Sequence, residues 1–545
     1  MENKPLNRRT FLTFMGTGAA ALAAATSGLG ILSETAHAET DNLLRVKPKK
    51  KGFEFQPIDA TTKDELVLPK GFKYDVVAAY GDVINREGDT FGFNNDFTLY
   101  FSIENSSERG LLWVNHEYTN PLYVEGEKVN GKYTPAQIEQ LLYNQGGSII
   151  EVYYDKKDNK WKMDTSSTHA RRVTGLTPFM LTGPAKGTKA VSGATRVQGT
   201  FANCSGGKTI WNTVLSCEEN FEDTAQNAGL DQTHYGWVIE VDPFDPNFEV
   251  RKHTALGRFN HENASMGIAK DSRVVVYMGD DKKDACVYKF VSKNKYVPSL
   301  GKANSRLLEE GTLYVADFKK GKWIAMTIEA VQKAAAGKPE LLEKFQTQGD
   351  VVTNCHEAAI LLGGTPTDRP EDVEISPFDN TIFIAHTNND KHGNLHGHIT
   401  RFIEKNDDLG ATEFEYEIFA AGGRQSGFSA PDNLTFDSNA NLWTVTDISS
   451  SSLNKDAWTS FGNNGMFVIP TIGSDKGIAF QFASAPAEAE LTGPSFTPDE
   501  KTLFLSIQHP GEETKDKNNP TSTWPHRIGE KTPRPAVVAI TGFKF

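Results

Sequence analysis

The strongest constraint on how this chain can fold is a strand–turn–strand unit with polar residues at its open end, repeated along the sequence. One copy is Asp368-Arg369-Pro370-Glu371-Asp372-Val373-Glu374-Ile375, a Pro377-Phe378-Asp379-Asn380 turn, and the apolar run Thr381-Ile382-Phe383-Ile384-Ala385. Short apolar runs bounded by Gly, Pro, Asn and Asp read as strands, and two joined by a turn read as a hairpin. The layout recurs where 111–114 leads into Asn115-His116-Glu117, 213–215 into Cys217-Glu218-Glu219, and 273–278 into Gly279-Asp280-Asp281. It recurs again where 381–385 leads into His386-Thr387-Asn388, 441–445 into Thr446-Asp447, and 502–507 into Gln508-His509-Pro510. The partner strands start with polar residues of their own: Asn95/Asp96, Cys204, Glu262, Glu371, Asp432/Asn433 and Ser495. Cys204 and Glu219 are 15 residues apart and Glu262 and Asp281 are 19 apart, the length that two ordinary strands and a turn require.

Repeats decide architecture before any single motif does. Six hairpins set radially, each with its polar mouth on the same side, predict an all-β fold: a six-bladed β-propeller with helical and loop insertions and a channel lined by those mouths. A β-sandwich with acidic turns is the alternative. The propeller is expected over residues 71–545, preceded by an N-terminal arm over 39–70. Helices are expected at 136–143, capped by Thr134 and Pro135 and ended by Gly146-Gly147, then at 328–336, 339–345 and 354–362.

The chain carries a formal charge of -13 over 545 residues. An acidic body argues against nucleic acid as a partner and suits carboxylates gathered around cations. At the N-terminus, Asn7-Arg8-Arg9-Thr10-Phe11-Leu12 precedes an Ala/Gly-rich apolar run, and Ala36-His37-Ala38 offers a small-residue cleavage site. Residues 1–38 read as a twin-arginine export signal, with a membrane-anchoring helix as the alternative. That reading makes the twin-arginine export machinery a partner and the periplasm or the exterior the destination. No later segment approaches ~18 apolar residues, so the mature protein is expected free of the membrane, and as a monomer.

A propeller channel brings side chains from many blades together. Glu117, Glu219, Glu262, Asp281, Glu371, Asp432 and Asp447 cannot all stay ionised at close quarters without cations. Oxygen-rich sites of this kind suit Ca2+. Cys204 occupies a slot that other hairpins fill with Glu262 and Glu371, and a thiolate there would select iron or zinc; a cross-strand disulfide with Cys217 is the alternative. Cys286 and Cys355 read as core packing. Arg369 is a cation set into such a mouth, suited to gripping a tetrahedral oxyanion unless it pairs with Asp368 or Asp372. His509 is the histidine best placed to be a metal ligand.

Taken together, 199–207 (Gly-Thr-Phe-Ala-Asn-Cys-Ser-Gly-Gly), 216–220 (Ser-Cys-Glu-Glu-Asn), His261-Glu262, Arg369-Pro370-Glu371-Asp372, Pro431-Asp432-Asn433-Leu434 and 506–512 (Ser-Ile-Gln-His-Pro-Gly-Glu) form an ordered set. With the export signal, this set resembles the PhoX-type alkaline phosphatase family. The resemblance implies a periplasmic enzyme hydrolysing small phosphate monoesters at a mixed Fe3+ and Ca2+ cluster in a propeller channel. It implies Cys204 as an iron ligand, supported by carboxylates among Glu117, Glu219, Glu262 and Glu371, with Arg369 holding the phosphate. Asp280, Asp281, Asp432, Asn433 and Asp447 are then calcium candidates. The chain departs from the family pattern at Asn212, where a glycine is expected; its side chain is expected to narrow the mouth. A calcium-only propeller lactonase or phosphotriesterase, and a non-catalytic calcium-stapled binding protein, are the competing readings.

Overall fold

The computed structural model describes residues 53–544. The expected export signal over 1–38 and the lysine-rich part of the arm lie outside the described residues. The body is six sheets of four to six strands. Their inner hairpins are the six repeats: Asn95–Ser102 with Arg109–His116 (blade 1), Asn203–Lys208 with Val214–Glu218 (blade 2), and Ser265–Ile268 with Arg273–Gly279 (blade 3). Blades 4, 5 and 6 begin with Pro370–Ile375 and Ile382–His386, Pro431–Phe436 and Asn441–Thr446, and Glu490–Phe496 and Thr502–Gln508. The innermost strands touch their neighbours all the way round, blade 6 meeting blade 1.

Both faces of each blade are buried against the next. In blade 4, Ile382 and Ile384 pack with Tyr277 and Val287 of blade 3, while Phe383 and Ala385 pack with Leu434 and Leu442 of blade 5. Strand side chains alternate between faces, so a strand sandwiched between two sheets reads as a continuous apolar run. Ring closure uses the chain's two ends. Lys73–Ala79 pairs antiparallel with Ala536–Thr541, from Lys73 opposite Thr541 to Ala79 opposite Ala536, so the first strand of the propeller is the outer strand of its last blade.

The mouths share a backbone device that the sequence does not display. In blade 1, Asn95 pairs with His116 and Thr98 with Val114, so three steps on the inner strand meet two on its partner. The same single-residue excess separates Asn203/Glu218 from Gly206/Ser216, Pro370/His386 from Val373/Ile384, and Pro431/Thr446 from Leu434/Thr444. In blade 3 it falls between the His261–Asp280 bridge and the Ser265–Tyr277 pair. A β-bulge re-aims the residues inside it. Here those residues begin with Asp96, Cys204, Glu262, Glu371 and Asp432.

Blade 6 carries the bulge as well, between Thr492/Ser506 and Ser495/Phe504, but its ladder runs two pairs further, to Glu490 opposite Gln508. Its bulge therefore opens with Gly493, and the expected slot residue Ser495 lies past it. Ser495 faces the opposite end of the channel, where its hydroxyl accepts from the Tyr100 N–H at 3.1 Å.

The helical insertions are α1 (Pro135–Tyr143), α2 (Phe221–Ala228), α3 (Ile328–Ala334), α4 (Pro339–Lys344), α5 (Gln348–Thr353) and α6 (Cys355–Leu362). Thr134 caps α1 in a full capping box with Gln137, yet the helix ends at Asn144 rather than at the glycines. Gly146 and Gly147 instead open a strand against Asn115 and His116; a Cβ on Gly147 would collide with the Trp113 ring. Helices α2 and α5 escaped the sequence reading. Of the arm, Phe53 and Phe55 pack on Phe480, Phe482 and Trp443. No helix among the described residues is long and apolar enough to cross a membrane.

Candidate metal centre at the channel mouth

The mouths of blades 1 to 5 are closed by the same backbone hydrogen bond. The N–H of Glu117 donates to the carbonyl of Asn94, Glu219 to Ala202, Asp281 to Asn260, Thr387 to Arg369 and Asp447 to Ala430, at 2.8–3.1 Å. Asn94, Ala202, Arg369 and Ala430 take left-handed φ values of 39–54°, uncommon for residues other than glycine. This closure gives two sets of matched positions. The bulge set is Asp96, Cys204, Glu262, Glu371 and Asp432; the outer set is Glu117, Glu219, Asp281, Thr387 and Asp447. In blade 4 the outer position is thus Thr387, whose hydroxyl donates to the Pro431 carbonyl at 2.8 Å.

These side chains, Thr387 excepted, converge on a cavity of about 230 Å³. Cys204 Sγ lies 3.3 Å from Asp96 Oδ2 and 3.4 Å from Glu262 Oε1. Three overlapping groups have donor atoms within 4.8 Å of one another: Asp96–Glu117–Cys204, Cys204–Glu219–Glu262 and Glu262–Asp281–Glu371. Asp432, Asp447 and His509 line the same cavity outside those groups. His509 Nδ1 donates to the Glu488 carbonyl at 3.0 Å and Nε2 lies 3.4 Å from Glu490 Oε2.

Two expected site residues turn away from the opening. Asp280 comes one residue before the outer position of blade 3, and strand alternation sends it outward to the Asn260 N–H and His356 Nδ1. Asn433 follows the bulge position of blade 5 and acts as a strut: Nδ2 donates to Asp432 at 2.9 Å and Glu262 at 3.3 Å, while Oδ1 accepts from the Gly493 N–H at 2.7 Å. Asn212 is also misplaced by the sequence reading. It sits at φ 67° in the turn at the far end of the blade 2 hairpin, so it cannot narrow the mouth. The reading named Asp96 only as a strand-start residue, not as a metal candidate, and missed Glu490 altogether; only the two extra ladder pairs of blade 6 bring Glu490 there.

The disulfide alternative for Cys204 is not formed, since all four cysteines are free thiols. Cys217 faces the apolar cluster with Leu215 and Val238, and Cys204 faces the acids. Cys286 and Cys355 are buried in that same cluster.

The electrostatics follow from crowding. Burial, reinforced by neighbouring carboxylates, raises Asp96, Glu219, Glu262, Glu371 and Glu490 well above the usual carboxylate range. Burial also lifts Glu117 to about 7 and, with Asp447 beside it, Asp432 to about 8. The Cys204 thiol is pushed up by burial and then by Asp96 and Glu262. Arg369 is the counter-charge. Its Nε and Nη2 donate to the two oxygens of Asp281 at 3.0 and 2.7 Å, and Nη2 lies 2.7 Å from Glu371 Oε1. Nη1, 3.7 Å from Asp447, is the least engaged arm. The pairings with Asp368 or Asp372 weighed from sequence are absent among the described contacts; Asp368 pairs with His392 instead.

Fold and site define a β-propeller whose channel mouth sets one guanidinium among metal-type donors. Residues 53–511 match the family model described as alkaline phosphatase PhoX. The chain belongs to that family of phosphate-ester hydrolases. Among solved structures, Pseudomonas fluorescens PhoX in complex with vanadate, a transition state analogue, aligns at TM-score 0.79 with 32% identity, covering 90% of this chain and 98% of that one. A Xanthomonas campestris gluconolactonase aligns at TM-score 0.31 with 11% identity over 86% of this chain and 97% of that one. A putative 6-phosphogluconolactonase from Bacteroides fragilis gives 0.32 and 9%, over 81% and 86%. No curated protein matches the chain.

Proposed function

We propose that the protein, exported by the twin-arginine route and cleaved after residue 38, hydrolyses small phosphate monoesters at an iron–calcium site in this mouth. The observation that carries the reading is the crowd of buried acids and one thiol around a single arginine. Such a donor set fits cations. Without them the acids must hold protons against their ordinary pKa values, and each raised pKa measures how poorly the folded site tolerates its own charge.

Cys204, with Asp96, Glu117, Glu219 and Glu262 around it, is the end of the site suited to iron, because thiolate selects softer metals. Glu262, Asp281 and Glu371, with Asp432, Asp447 and Glu490 nearby, are all-oxygen donors suited to calcium. When bound, the ions supply charge neutralisation at phosphoryl oxygens and activation of the nucleophile.

The chain's own residues do the rest. Asp281 and Glu371 hold the Nε and Nη2 side of Arg369, which orients Nη1 toward the opening. A guanidinium fixed in this way donates to the equatorial oxygens of the phosphoryl group without reorganising as charge shifts. His509, its Nδ1 occupied by the Glu488 carbonyl, presents Nε2 to the cavity beside Glu490. Tyr118 donates to Glu512 Oε1 at 2.7 Å and fixes part of the cavity wall.

The test is hydrolysis of p-nitrophenyl phosphate at alkaline pH by protein exported from its native host, before chelation, after it, and after calcium is restored. Activity that disappears and returns supports the reading. Inactivity throughout, in protein that contains iron and calcium, overturns it.

A further inference from the structure

The last ladder residue before each mouth is His116, Glu218, Asp280, His386, Thr446 or Gln508 in blades 1 to 6. His116 bonds Ser148 and Gly92, Glu218 bonds Lys252, and Thr446 bonds Asn464, all within their own blades. Gln508 differs. It is 1% exposed, and its Nε2 reaches across to blade 1, donating to Asp96 Oδ2 at 2.9 Å and Glu117 Oε2 at 2.8 Å. One neutral amide nitrogen thus holds two carboxylates from a neighbouring blade, using both of its N–H bonds.

The other oxygen of Asp96 accepts from Thr492 Oγ1, so blade 6 holds both oxygens of the Asp96 carboxylate. Asp96 Oδ2, the oxygen that Gln508 holds, is also the one beside Cys204 Sγ. Residue type matters at this point. A glutamate would repel both acids, and a lysine would neutralise them and occupy the place of a cation. A glutamine orients the acids and leaves their charge available.

We propose that Gln508 is a positioning residue: across the seam that closes the propeller, it presents Asp96 and Glu117 to the cation shared with Cys204. This rests on the metal reading above and extends it to a residue outside the donor groups. Groups that orient metal ligands typically change metal affinity by about 10–100-fold when removed.

The experiment compares wild type, Gln508→Glu, Gln508→Lys and Gln508→Met as full-length exported proteins. It measures iron and calcium content, the thiolate-to-iron absorption band, and thermal stability with and without chelator. All three variants are expected to retain iron about 10–100-fold less tightly, with the absorption band weakened or shifted. Gln508→Lys is further expected to be more stable than wild type after chelation, because its ammonium offsets the acids; a packing-only role for Gln508 predicts the reverse.

Wild-type iron content and band in folded Gln508→Glu and Gln508→Met overturn the proposal and leave the metal reading intact. Lower stability of chelated Gln508→Lys than of chelated wild type also overturns it. A wild-type protein with no iron and no band overturns both.

Discussion

Gly493→Ala tests whether the sixth slot is a glycine because blade 1 already fills the space a side chain needs. A Cβ on Gly493 would lie 2.4 Å from the Thr98 nitrogen and 2.6 Å from Phe97 Cα, on a residue with φ +58°. These neighbours are backbone, so only a separation of blades 6 and 1 relieves the overlap. A left-handed φ costs a residue with a Cβ ~1–2 kcal/mol, and overpacking of this kind adds ~1–3 kcal/mol. The expected loss is therefore about 2–5 kcal/mol. Gly473→Ala is the control: at φ +88°, with nothing within 4 Å, it should lose only the ~1–2 kcal/mol conformational part. The assay is denaturant unfolding of the metal-loaded proteins, comparing midpoints at a shared slope. Thr98 Oγ1 donates to the Gly493 carbonyl at 2.5 Å and Thr492 holds Asp96, so Gly493→Ala should also lower activity while Gly473→Ala leaves it unchanged. Coincident midpoints for the two variants would refute the steric argument.

Arg369→Ala should lower kcat by ~10²–10³-fold, the usual effect of losing one preorganised donor, with iron and calcium contents preserved; an unchanged kcat removes Arg369 from phosphoryl binding. Cys204→Ser should lose iron and activity while keeping calcium; full activity on a calcium-only protein would favour the lactonase or phosphotriesterase reading. Chelation should invert the pH dependence of stability. In the metal-free protein, Glu117 at about 7 and Asp432 at about 8 stand above their unfolded values near 4. Their contribution is therefore fully present below about pH 4 and lost as pH rises through 7–8. With metal bound, protons compete with the cations and stability falls as pH drops. Melting temperatures that follow pH in parallel with and without chelator would contradict this.

The blades were legible because a strand buried on both faces leaves an unbroken apolar run, and 381–385 or 502–507 cannot be mistaken for loop. Five bulge residues were legible for a different reason. Asp96, Cys204, Glu262, Glu371 and Asp432 each stand at the start of a partner strand, at matched distances from the polar residues that end the hairpin. The sixth blade misled because Ser495 also looks like a polar break, and nothing in its neighbourhood reveals that the ladder continues to Glu490 and Gln508. Asp280 and Asn433 misled through adjacency: beside a bulge, neighbouring residues point in different directions, and only the register says which one faces the channel. Helix α2 was hidden by its composition, since Phe-Glu-Asp-Thr-Ala-Gln-Asn-Ala buries one side against Tyr235 and Phe201 with few apolar residues to mark a period.

The repeated closure also explains why one arginine suffices. Asn94, Ala202, Arg369 and Ala430 occupy the same left-handed backbone position in four blades, a conformation that costs ~1–3 kcal/mol wherever it is held. The backbone is common to these mouths, and the side chain is what varies. The two alanines are buried in apolar clusters, whereas Arg369 lies among acids and is tied down by Asp281 from blade 3 and Glu371 from blade 4. A second arginine at 202 or 430 would add another fixed positive charge beside Glu219 or Asp447, which would weaken the acids' hold on cations by the same electrostatics that makes them bind. Under the proposed function, one guanidinium on one side of the ring balances the two demands: enough positive charge to seat an oxyanion, and enough negative charge left uncompensated to hold cations.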